Sequence, residues 1–109
     1  MTELRDERLP DGKLAVWLSA GGDRVLLRQV GEWLVADLGG KAYERFDGMD
    51  QIFWDFAVLG ARVTLRWDKA IGIAVLASDV SSRGEELARR VAAHLSARLV
   101  QHRQSDGSP

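Results

Sequence analysis

Residues 51 to 77, QIFWDFAVLGARVTLRWDKAIGIAVLA, decide the fold, because three apolar-alternating runs follow one another there across two short turns. In Arg62 to Asp68, Val63, Leu65 and Trp67 fall on one face of an extended chain. Arg62, Thr64, Arg66 and Asp68 fall on the other, which is the period of two of a half-buried strand. Before it, Ile52, Trp54, Phe56 and Val58 alternate with Gln51, Phe53, Asp55 and Ala57, and Leu59-Gly60 closes a hairpin with Gly60 free to take positive φ. A two-residue turn sets Phe56 opposite Val63, Trp54 opposite Leu65 and Ile52 opposite Trp67 on the core side, with Phe53 opposite Arg66 and Asp55 opposite Thr64 behind. Ile71, Ile73, Val75 and Ala77 return in the same phase after Asp68-Lys69-Ala70. The spacing predicts strands over 51–58, 62–68 and 71–77. A competing pattern, Phe46, Met49, Phe53 and Phe56 at helical intervals, makes 43–58 a helix; the aromatic and β-branched content of 52–58 and the break at Asp47-Gly48 favour the strand.

Working toward the N-terminus, Leu14, Val16 and Leu18 alternate with Ala15, Trp17 and Ser19, and Gly21-Gly22 offers a hairpin turn to a returning run. Strands are predicted over 13–19, 24–30 and 33–38, with Gly31-Glu32 as the second turn. Gly39-Gly40 and the polar stretch to Asp50 connect the two halves, Lys41 to Phe46 forming one helical turn. Past the sheet, Ser82 followed by Glu85 has capping-box spacing, and Leu87, Ala88, Val91, Ala92, Leu95 and Leu99 form the apolar stripe of a helix over 82–101. Arg98 and His102 lie on the Leu95 side, so the last turns either pass the sheet edge or meet a partner. The predicted class is α+β: an antiparallel β-meander sheet of about six strands with a C-terminal helix packed on one face. Residues 1–12 read as a flexible lead-in ending at Pro10-Asp11-Gly12, 13–103 as a single domain and 104–109 as a disordered tail.

Composition removes several functions. The net charge of -1 and pI near 6.1 supply no global field toward nucleic acid or anionic membrane. Without cysteine there is no disulfide framework, thiolate nucleophile or cysteine-based metal site. The opening MTELRDERLPDGK has no apolar signal core, and no run approaches the ~20 apolar residues of a membrane span, so cytoplasmic residence is expected. His94 and His102 are eight residues apart, about 80° around a helix axis and thus not the i, i+4 pair that chelates a metal. Among Glu44, Asp47, Asp50, Asp55 and Asp68, three acids sit in a turn-rich connector and two on a strand face beside arginines. Neither glycine pair fits a phosphate-binding loop. No catalytic residue, metal ligand or cofactor is assigned.

Coverage points to function. One long helix and a short connector cannot cover both faces of such a sheet, and the second face collects Trp17, Leu26, Val30, Trp33, Val35, Phe53 and Leu76. The candidate partner-binding residues are Trp17, Leu26, Arg28, Trp33, Val35, Phe53 and Arg66, with Trp17, Trp33 and Phe53 expected to be exposed. The expected partner is a protein, either another chain or a second copy. Arginines among aromatics also fit single-stranded nucleic acid, the alternative disfavoured by net charge; a small enzyme is a distant third. The run from Tyr43 to Ala77, with FDGMDQIFWDF, GARVTLRWD and IGI, resembles small uncharacterised bacterial α+β proteins, some encoded beside toxin genes as immunity proteins. That resemblance implies a bacterial partner-binding protein. Immunity proteins of this kind are typically strongly acidic and this chain is not, which argues against an antidote that works by charge complementarity to a basic toxin.

Overall fold

The computed structural model describes residues 4–106. In chain order it contains β1 (Arg5–Arg8), β2 (Leu14–Ser19), α1 (Arg24–Leu38), β3 (Lys41–Asp47), β4 (Gln51–Val58), β5 (Ala61–Asp68), β6 (Gly72–Ala77) and α2 (Ser82–Asp106). The strands make one antiparallel sheet in the order β1-β2-β6-β5-β4-β3. The α+β class, the single six-stranded antiparallel sheet and the C-terminal helix are as the sequence predicts.

The β4–β5 register matches the expected one pair for pair, from Ile52 opposite Trp67 to Phe56 opposite Val63. Leu59 and Gly60 turn the hairpin with φ of 52° and 80°, positive at both central residues, as a two-residue turn compatible with strand twist requires. β6 continues the phase, Val75 opposite Leu65 and Ile73 opposite Trp67. Phe56, Leu65, Ile73 and Val16 are fully buried between this sheet face and the helices. Burial of such side chains contributes about 1.5–3 kcal/mol each.

The strands predicted over 24–30 and 33–38 are instead one helix, α1. Asp23 caps its start, the carboxylate accepting from the Leu26 N–H at 2.9 Å. Gly39 ends it at φ 67°, its N–H donating to Val35 and that of Gly40 to Leu34. Leu27, Val30 and Leu34 bury one stripe, and Gly31 on that stripe admits the Trp54 ring, which a Cβ there would overlap. Gly21-Gly22 therefore leads into a helix rather than a hairpin.

The two strands that replace them come from stretches expected to be irregular. Residues 5–8, within the expected lead-in, pair with β2 from Arg5 opposite Trp17 to Arg8 opposite Leu14. Residues 41–47 pair with β4 around a bulge between Ala42 and Arg45 and form neither a helical turn nor part of a 43–58 helix. At the start of α2 the cap is Ser81, its hydroxyl accepting from the Gly84 N–H at 3.1 Å, while Glu85 turns to Arg8. α2 runs to Asp106, into the expected 104–109 tail, and residues 107–109 lie outside the described ones.

Both helices pack on the same sheet face. Arg98 and His102 meet α1: Arg98 lies over the Trp33 ring at 5.0 Å and His102 meets its edge at 5.5 Å. Asp37 receives His94 Nε2 at 2.8 Å, and Arg98 Nε lies 2.9 Å from the same oxygen. The hydrogen bond from His94, and after it the Arg98 charge, hold the Asp37 carboxyl below its ordinary value against an opposing push from burial.

Candidate interaction surface

The second sheet face is covered unevenly. At the β1–β2–β6 end, Ala15, Trp17, Ala74 and Leu76 form a small buried cluster flanked by Leu9, Phe53 and Ile71. Trp17 is only 2% exposed, although no helix covers it. Its ring lies between two guanidinium groups, Arg5 at 5.8 Å and Arg66 at 5.6 Å, and its Nε1 donates to Glu7 at 2.9 Å. Arginine stems thus do here what a second layer would do, burying apolar atoms beneath a charged head.

Arg66 also lies over Phe53 at 5.5 Å and reaches Asp68 at 3.3 Å. Asp68 is the local hub. Its Oδ1 accepts from the N–H groups of Ala70 and Ile71 at 2.9 and 3.2 Å, and its Oδ2 accepts from Gln51 at 3.1 Å. Burial alone would push this carboxyl up; the donors from Ala70, Gln51 and Ile71 and the Arg66 charge outweigh it, and the net direction is down.

Toward β3 the cover thins. All seven residues of β3 are exposed. Tyr43 is 51% exposed beneath the Arg62 guanidinium at 4.7 Å, and Phe46 is 63% exposed with its ring 6.5 Å from Phe53. Met49, in the turn that follows, is 87% exposed. Phe46 opposes Phe53, so it lies on the second face; Ala42, Arg45 and Asp47 oppose Phe56, Trp54 and Ile52 and lie on the helix face. Arg45 there covers the Trp54 ring at 4.7 Å and pairs with Asp47 at 2.7 Å.

The two sheet edges differ. β1 is charged throughout and tied to α2 by Arg8 with Glu85 and by Asp6 with Arg89. β3 carries the exposed aromatics, and among the described residues no strand pairs with its outer side. An edge of this kind presents backbone donors and acceptors to any extended chain that reaches it.

The residues expected to share one face do not. Trp17, Phe53 and Arg66 stand together on the second face. Leu26, Arg28, Trp33 and Val35 belong to α1 on the opposite side of the sheet. Leu26 packs against the main core, Trp33 is buried in it at 6% exposure, and Arg28 and Val35 face outward. The expectation that Trp17 and Trp33 stand bare is overturned, the first by guanidinium cover and the second by the helix stripe. Tyr43, Phe46, Met49 and Arg62 were missed. The signal was the run KAYERFD bracketed by Gly39-Gly40 and Asp47-Gly48, whose apolar alternation is broken by the bulge. Among the described residues no group of three or more His, Asp or Glu side chains could hold a metal, and no helix is long and apolar enough to cross a membrane. No family model matches the chain, and no curated protein or solved structure matches it.

Proposed function

We propose that the chain is a non-catalytic, cytoplasmic protein-interaction module that accepts an extended segment of a protein partner as an added strand along β3. The observation that carries this is a single one: a whole edge strand exposed along its length, with Tyr43, Phe46 and Met49 projecting beside it. Strand addition draws affinity from main-chain hydrogen bonds and selectivity from alternate side chains. Here the alternate side chains on the second face are Tyr43 and Phe46, and Phe53, Arg62 and Arg66 continue their surface inward. Nucleic acid is the weaker candidate on this face, because the rings that would stack on bases already lie beneath guanidinium groups and Asp55 and Asp68 balance the charge.

Site-specific photo-crosslinking in cells tests it, with a benzophenone side chain at position 46 and the same group at position 80, where Val80 is equally exposed at 61%. Protein adducts at 46 that are absent at 80, and that disappear when Tyr43→Asp is added, are expected. Adducts alike at both positions, or adducts at 46 to nucleic acid alone, would overturn the reading.

A further inference from the structure

We propose that β1 is a displaceable guard on the edge of β2, held there by charge, and that it lifts away while the rest of the sheet stays folded. Its four residues, Arg5-Asp6-Glu7-Arg8, are exposed throughout and bring no apolar side chain to either core cluster. All six residues of β2 beneath it are buried. A short charged strand laid along an apolar one is a means of keeping a sheet edge from pairing with other chains. The register divides the work between the two faces. Arg5 opposes Trp17 and Glu7 opposes Ala15 on the second face, where the Arg5 guanidinium lies over the Trp17 ring and Glu7 accepts from its Nε1. Asp6 opposes Val16 and Arg8 opposes Leu14 on the helix face, and both reach α2.

Glu85 and Arg89 are four residues apart on α2, so they share one helix face. They meet the two β1 charges in the order that pairs opposites, Asp6 with Arg89 and Arg8 with Glu85. Exchanging the charges on either element would set like against like. Arg8 also donates to the Gly12 carbonyl at 3.1 Å and so draws in the turn that follows β1. What holds β1 is therefore main-chain pairing over four residues and a set of exposed charges. Such charges are screened by salt, the screening length falling from about 10 Å at 0.1 M to about 3 Å at 1 M. A segment with little buried apolar surface also opens at a lower free energy than the core. When β1 lifts, Arg5 and Glu7 leave Trp17 with it, Arg66 alone stays over the ring, and the outer main-chain groups of β2 lose their partners.

Amide hydrogen exchange of the full chain at low and high sodium chloride tests this, with charge variants beside wild type. Between ~0.1 M and ~1 M salt, residues 5–8 and the β2 amides that face them should exchange about threefold faster or more, while β4 and β5 amides hold their rates. Asp6→Arg sets like charges against Arg89 and should speed exchange of residues 5–8 by about threefold or more at low salt. Adding Arg89→Glu restores an opposite pair and should return most of the lost protection. The neutral variant Asp6→Asn with Arg8→Gln should exchange quickly at low salt and lose most of the salt dependence. Unchanged β4 and β5 amides confirm that each variant folds. Protection of residues 5–8 that ignores both salt and Asp6→Arg, or a double reversal that restores nothing, would overturn the charge latch. Exchange of residues 5–8 at the rate of the β4–β5 core would overturn independent lifting, and free-chain rates at low salt would overturn the guard itself.

Discussion

Replacing Asp68 by alanine removes one carboxylate that serves four donors. The Ala70 and Ile71 amides lose their side-chain acceptor, although Ile71 keeps a bond to the Asp68 carbonyl at 3.2 Å. The Gln51 amide loses its acceptor, and Arg66 is left charged over Trp17 and Phe53 with its Nε already lacking a hydrogen bond. Bonds to a charged group contribute about 1.5–3 kcal/mol each, but four on one carboxylate are far from additive, and stripping one partner from a largely buried pair costs about 3–5 kcal/mol. Arg66 keeps partial contact with water, which sets the expected loss near the low end, about 3 kcal/mol. Urea titration followed by tryptophan fluorescence measures it. The pH dependence adds a second readout. Because the folded carboxyl titrates below its unfolded value, its contribution is present in full above the unfolded pKa of about 3.9 and is lost as pH falls through the folded pKa. The gap between wild type and Asp68→Ala should therefore be constant near neutrality and close in acid. A loss under about 0.5 kcal/mol, or a gap that does not narrow in acid, would refute the hub.

Leu59→Asn should stabilise the chain by about 1 kcal/mol, because Leu59 is exposed at φ 52° and Asn-Gly is the preferred pair for that turn; thermal unfolding would detect it, and an unchanged midpoint would contradict the turn geometry. Gly31→Ala should destabilise by about 1–3 kcal/mol despite its gain in helix propensity, since the new methyl overlaps the Trp54 ring; a stabilised variant would mean α1 does not rest on Trp54. Asp37→Asn should lower the urea midpoint at neutral pH and match wild type once pH falls through the lowered folded pKa of Asp37, because the bond from His94 favours its charged form; a difference that persists in acid would place the effect elsewhere.

The β4–β5–β6 meander and α2 were legible because their information is local: a period of two across a two-residue turn, then a stripe at helical spacing. α1 is not legible in the same way, because RVLLRQV satisfies both periods over a short window; its helix signals are Asp23 before it and Gly39-Gly40 after it, while Gly21-Gly22 has equally the composition of a hairpin turn. β1 and β3 carry almost no hydrophobic alternation, RDER and KAYERFD being strands by virtue of the neighbours they pair with. Of the residues the sequence assigns to a bare second face, four are helical, and Trp17 and Leu76 are buried there in a small cluster of their own. The burial of Trp17 depends on Arg5 and Arg66 converging on one ring, a long-range event that spacing does not encode.

The central claim is that β3 is the edge that binds. Amide hydrogen exchange of the chain alone and in complex with the protein captured by crosslinking at position 46 tests it most directly, with β1 as an internal control because it is the opposite edge of the same sheet. Residues 41–47 are predicted to gain protection in the complex while residues 5–8 stay unchanged. Equal protection at both edges, or protection gained in another element with β3 still exchanging freely, would contradict it.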